Sequence, residues 1–169
     1  CLGVKRLFLQ ESIAESFVGN LAEILKKKTC GNGMSKDARM GPIHLESQRR
    51  EIEEQVEDAK ARGAKVVFGA ERPQGSDLDK GFFYLPTLLT NVPDDARVSV
   101  EETFGPVLPV FTFKTLDEAI EKANSSIFGL GSSIWTRNLI NANKAVDKLQ
   151  AGNVWVNSLH YGYDELPFG

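Results

Sequence analysis

Cysteine is scarce in this sequence: Cys1 and Cys30 are the only two among 169 residues. Two thiols build no disulfide framework of the kind that holds small secreted domains, so a reducing, cytoplasmic setting is the expectation. Histidine is equally scarce. His44 and His160 stand far apart with too few other ligands beside them, so both read as surface or loop residues and no metal is expected. No apolar run approaches the roughly 18 residues of a membrane span, and no signal-peptide pattern occurs. There is no excess of basic charge either. Twenty Lys and Arg against 23 Asp and Glu leave a net charge of −3, which excludes the electropositive field expected of a nucleic-acid partner or a membrane surface. The one basic cluster, Lys26-Lys27-Lys28, closes a predicted helix, where positive charge suits the dipole. An initiating methionine is also missing, which reads as a processed or truncated piece.

What is present is a single domain's worth of chain with ordinary apolar and charged content, enough to bury a core. The pattern alternates strand and helix. "VKRLFLQ" reads as a strand, and Ser12 with Glu15 as a capping box opening a helix whose stripe is Ile13, Phe17, Leu21, Ile24 and Leu25. A turn segment, "CGNGMSKDARMGP", leads to a second helix with Ile52, Val56 and Ala59 on its inner stripe and Gly63 at its end. "AKVVFG" reads as a buried strand, and "FFYLPTLLTNV" as an extended segment that Pro86 places at an edge or bend. "VLPVFTF" is a further strand. Thr115 and Glu118 form a second capping box, "GLGSSIWT" is a strand, Ala142, Val146 and Leu149 mark a last helix, and "NVWVNS" closes the pattern. Such alternation implies an α/β fold: a mainly parallel open sheet with helices on both faces.

In open α/β sheets ligands gather at the carboxyl ends of strands, which directs attention to loops. "EETFGP" is the unusual one. A turn made by Gly105 and Pro106 would fix the direction in which Glu102 and Phe104 project. A carboxylate offers two acceptor oxygens that suit a vicinal diol such as that of a ribose, and an aromatic two residues on can lie against a flat ring or sugar edge. Composition alone leaves open a helix-terminal acidic pair and a core phenylalanine. Cys30, in a turn, reads as an ordinary thiol.

The segment "EETFGPVLPVFTFKTLDEAIEKANSSIFGLGSSIWTRN" resembles the corresponding stretch of the aldehyde dehydrogenase superfamily. "CLGVKRLFLQESI" resembles that family's segment beginning at its catalytic cysteine, with a basic residue (here Arg6) five positions on. "MGPIHLESQRR", "GFFYLPTLLTNVPDD" and "AGNVWVNS…ELPFG" are similar to three further family segments in the same order. The resemblance covers essentially the whole chain and implies one catalytic domain over residues 1–169. By it, Cys1 is the nucleophile, while Glu102 and Phe104 bind the nicotinamide ribose of NAD or NADP. Phe168 lines the substrate tunnel, and Tyr161 after Asn157 lies where the family varies its substrate contacts. The two tyrosines and the histidine of that loop suggest a partly polar or aromatic aldehyde as the small-molecule substrate.

The resemblance also implies what this chain lacks. The dinucleotide-binding half, the general-base glutamate and the oxyanion-binding asparagine would precede Cys1, and a C-terminal arm would come after Gly169. Such a fragment is expected to be inactive alone, and the full-length enzyme to be a homo-oligomer, dimer or tetramer. Other readings stay open. An N-terminal cysteine also marks N-terminal-nucleophile hydrolases, whose freed α-amine serves as base. A CoA-acylating or a non-catalytic member of the same fold would retain most of these motifs.

Overall fold

The computed structural model describes residues 3–75, 77–162 and 165 of the chain. Its elements run β1 (Leu7–Gln10), α1 (Glu11–Leu25), α2 (Glu46–Ala61), β2 (Lys65–Phe68), β3 (Thr87–Thr90), α3 (Arg97–Val100), β4 (Val107–Phe113), α4 (Leu116–Asn124), β5 (Gly131–Ile134), α5 (Leu139–Lys148) and β6 (Asn153–Val156). They fall into two compact units. One is Lys5–Phe111, and the other holds the residues from Thr112 onward together with Gly3 and Val4.

The first unit carries a sheet in the order β1-β4-β3-β2. β3 and β4 are parallel, with Thr87 opposite Val107 and Leu89 opposite Pro109. Side chains alternate across them, so the two faces draw on different helices. Leu89, Val107 and Phe111 pack with Ile52, Val56 and Ala59 of α2. Leu88, Leu108 and Val110 pack with Ala14, Val18, Leu21, Ala22 and Leu25 of α1. Helices thus cover both faces, as the alternating pattern implies. β2 departs from the parallel rule and runs antiparallel to β3. A parallel partner needs a crossover, usually helical, and the described residues between these two strands form neither helix nor strand.

Four local expectations need correction. Helix α1 begins at Glu11, and its N-cap Gln10 makes no side-chain cap bond, so Ser12 lies inside the helix and the box with Glu15 does not form. Part of the α1 stripe is also turned by one residue: Ile13, Phe17 and Ile24 are exposed and Ala14 and Val18 meet the sheet, while Leu21 and Leu25 pack on it as expected. The apolar arc of this helix is wider than the strip of sheet available to it. β2, read as buried, is the edge strand, with Val66 and Val67 exposed. β3, by contrast, lies inside the sheet and its Leu88 and Leu89 are fully enclosed. Pro86 precedes the strand, so the missing N–H costs no ladder bond there.

In the second unit β5 and β6 are parallel, joined through α5 as a βαβ unit, with Gly131 opposite Asn153. Thr115 caps α4 as expected: its hydroxyl accepts from the Glu118 N–H at 3.3 Å, and the Glu118 carboxylate accepts from the Lys114 N–H at 2.9 Å. The Asn124 amide donates to the Lys148 carbonyl and accepts from the Gln150 N–H, tying α4 to the end of α5. Among the described residues no helix is long and apolar enough to cross a membrane.

Candidate active site

The segment Glu101–Pro106 joins α3 to β4 and is held at five points. Arg97 Nε donates to both oxygens of Glu101, at 2.9 and 3.0 Å, and Gln55 Nε2 donates to one of them at 3.1 Å. Thr103 is buried. Gln48 Nε2 donates to the Phe104 carbonyl at 2.8 Å. At Gly105 the backbone lies against α2 so closely that a Cβ would stand 2.2 Å from Ile52 Cδ1. The Pro106 carbonyl accepts from the Thr87 N–H at 2.7 Å. Gln48, Ile52 and Gln55 obey the i, i+4, i+7 rule and share one face of α2, which serves as a rail for this segment.

The consequence is a division of labour between the two carboxylates. Glu101 is absorbed by the fold, and the Arg97 guanidinium above all holds its carboxyl below the usual carboxylate range. Glu102 is exposed and takes part in no hydrogen bond or ion pair among the described residues. Phe104 is 54% exposed. Glu101 is thus bonded to Gln55 of α2 and Thr103 is buried, while Glu102 and Phe104 between and beyond them are exposed. Two vacant carboxylate oxygens beside an open aromatic ring fit a ribose diol and its attached base.

Lys5 completes this cluster. Its Nζ lies 5.4 Å from the centre of the Phe104 ring. Burial lowers its pKa, and the charge of Glu102 pulls it back upward. Lys5 precedes β1 and Phe104 precedes β4, so the cluster sits at the amino ends of these strands. This reverses the expectation of a site at carboxyl ends. That rule describes ligands held by loops that leave strands, whereas Glu102 and Phe104 stand on a loop that enters one.

Cys1 and Phe168 lie outside the described residues, as does Tyr163. Asn157 and Tyr161 are in the second unit. Tyr161 is exposed. Asn157 has φ +51°, a left-handed conformation that asparagine tolerates better than most residues. Both functional atoms of its amide are engaged: Oδ1 accepts from the Thr136 N–H at 2.8 Å and Nδ2 donates to the Thr136 carbonyl at 2.9 Å. The Asn157 N–H donates to the Ile134 carbonyl at 2.8 Å. Asn157 therefore clamps the ends of β5 and β6 together and sets where the next loop departs. Asn157→Ala should destabilise the protein by about 1–2 kcal/mol in chemical denaturation, from two lost bonds and a strained φ. A melt identical to the parent's would remove the clamp from consideration.

His160 stacks on Trp155 with ring centres 4.5 Å apart, and His44 is exposed. Among the described residues no three His, Cys, Asp or Glu side chains are placed to hold a metal ion. Burial pushes the Cys30 thiol upward, which suits an unreactive thiol. The sequence alone gives no weight to Lys5, Gln48 or Gln55. The i, i+7 spacing of the two glutamines around Ile52 is the one local trace of their shared role.

The description "Aldehyde dehydrogenase family" belongs to the family model that matches residues 1–169. The chain is 35% identical to betaine aldehyde dehydrogenase of Bacillus subtilis over 169 residues, covering 100% of this chain and 34% of that protein. It is 38% identical to the succinate-semialdehyde dehydrogenase (NADP(+)) 1 of Mycobacterium tuberculosis, covering 100% of this chain and 36% of that protein. A crystal structure of betaine aldehyde dehydrogenase from Staphylococcus aureus in complex with NAD+ matches with a TM-score of 0.93 and 38% identity, over 98% of this chain and 33% of that one. The chain thus spans about a third of the length of the relatives it matches. Its open sheet between two helical layers also differs from the stacked antiparallel sheets of an N-terminal-nucleophile hydrolase. With a match that runs from the first residue to the last, the chain belongs to the aldehyde dehydrogenase family.

Proposed function

We propose that this chain is the catalytic-cysteine domain of a longer enzyme that oxidises a small-molecule aldehyde to a carboxylic acid with NAD+ or NADP+. The observation that carries the reading is the "EETFGP" segment, pinned by Gln48, Gln55, Arg97 and Thr87 while Glu102 and Phe104 stay open. In this reading the Cys1 thiolate adds to the carbonyl carbon, giving a thiohemiacetal whose collapse releases a hydride and leaves a thioester on the sulfur. The dinucleotide, when bound, accepts that hydride. Glu102 accepts hydrogen bonds from the ribose hydroxyls and Phe104 lies beside the ribose, so that the acceptor carbon is held near the reacting one. A water activated by a carboxylate then releases the acid. Tyr161 and Phe168 contact the aldehyde, and Asn157 aims the loop that carries Tyr161. The full-length enzyme works as a cytoplasmic homo-oligomer, dimer or tetramer.

The test uses the full-length protein with a panel of aldehydes and each dinucleotide, monitored by the absorbance of the reduced nicotinamide. Failure of every aldehyde to yield reduced dinucleotide would end the reading. Glu102→Gln separates positioning from affinity: the single-turnover hydride step should slow by about 10- to 100-fold while dinucleotide affinity changes by about threefold or less. Loss of affinity with an unchanged hydride step would assign Glu102 to binding alone.

A further inference from the structure

Lys5 is half-buried and stands over the Phe104 ring, with its ammonium 5.4 Å from the ring centre. Glu102 stands two residues before Phe104 on the same loop, both side chains are exposed, and the charge of Glu102 reaches the Lys5 ammonium without an ion pair between them. No hydrogen bond or ion pair to another described residue competes for the Glu102 carboxylate. The neighbouring cation, Arg6, is directed elsewhere and lies over Phe8, 5.5 Å from its centre.

We propose that Lys5, standing over the Phe104 ring, is a positioning residue that steadies that ring and offsets the charge of Glu102 beside the nicotinamide. The proposal rests on the reading that Glu102 takes the ribose hydroxyls. An oxidised nicotinamide ring is positively charged and a reduced one is neutral, because the hydride brings an electron pair that cancels the charge. A lone carboxylate nearby therefore favours the oxidised form and opposes hydride arrival. The Lys5 ammonium, over the ring two residues along the same loop, acts with the opposite sign and offsets part of that bias. This gives Lys5 an effect on the ratio of two affinities, which a purely structural role would not move.

The experiment measures the dissociation constants of the oxidised and reduced dinucleotide for the full-length parent, Lys5→Met, Lys5→Arg and Glu102→Gln. Methionine keeps the apolar stem of the lysine and removes its charge. Lys5→Met should shift the affinity ratio by about fivefold toward the oxidised form. Lys5→Arg should keep the parent ratio, and Glu102→Gln should shift it toward the reduced form. An unchanged ratio in Lys5→Met beside a shifted one in Glu102→Gln overturns the role of Lys5 and leaves that of Glu102 intact. Equal shifts in Lys5→Met and Lys5→Arg also overturn it, since shape and not charge would then be responsible. If Glu102→Gln changes neither affinity nor the hydride step, the ribose reading itself fails and the proposal with it.

Discussion

Cys1→Ala in the full-length enzyme should lower aldehyde oxidation by about 10⁴-fold or more, the scale on which loss of a catalytic nucleophile is felt. The reason is chemical. Without the sulfur there is no thiohemiacetal, and an aldehyde carbonyl attached to no nucleophile has no alkoxide to expel a hydride. Dinucleotide affinity should stay near the parent value, because the loop that carries Glu102 and Phe104 is held by Gln48, Ile52 and Gln55 of α2. Two measurements decide it: steady-state turnover, and mass spectrometry of the denatured enzyme quenched with aldehyde, in which an acyl adduct on Cys1 appears in the parent and is missing in the variant. Appreciable turnover by Cys1→Ala would remove covalent catalysis at this residue.

The largest expected loss of stability comes from Gly69→Ala. Gly69 lies just past β2 with φ +77°, where a side chain is strained wherever there is space. Space is also lacking. An added Cβ would stand 2.2 Å from the Pro86 carbonyl oxygen and 2.8 Å from Thr87 Oγ1. Neither atom can yield cheaply. The Thr87 hydroxyl accepts from the Ala70 N–H and donates to the Leu85 carbonyl, and Thr87 starts an inner strand of the sheet. The substitution should cost about 3–5 kcal/mol, combining backbone strain with a clash against the Pro86 carbonyl and Thr87. The Thr87 N–H also holds the Pro106 carbonyl, so the same change should disturb the loop that carries Glu102. Denaturant titration reads the first effect, and dinucleotide affinity of the surviving folded fraction reads the second. A variant as stable as the parent would mean that this turn relaxes in a way the packing does not allow.

Much of this architecture is legible from residue spacing, because spacing and burial obey the same geometry. Ile52, Val56 and Ala59 recur at helical intervals and all three are enclosed in the core. Glu102 and Phe104, singled out together because a Gly-Pro turn follows them, are both exposed on the pinned segment before β4. The errors have a common origin in neighbours that are distant in sequence. Which half of the apolar arc of α1 meets the sheet depends on Leu88, Leu108 and Val110, none of which is near it in the chain. β2 is apolar enough to be interior, yet the sheet ends there. Proline proved a poor guide to strand position. Pro86 sits just outside an inner strand, and Pro109 sits within β4, also an inner strand. The supports of the site were the least visible. Gln48 reaches a carbonyl 56 residues away and Gln55 a carboxylate 46 residues away, and no local pattern announces such bonds.

The amide of Asn157 acts as one more rung beyond the end of β6, supplied by a side chain where the backbone has already turned away. The point at which the following residues depart is thereby set by a side chain, and His160 turns back to stack on Trp155 of the same strand. Under the function proposed above, the exposed Leu159 and Tyr161 could be exchanged for residues of different size and polarity while their point of departure stays put, so the choice of aldehyde would change without re-engineering the sheet beneath them.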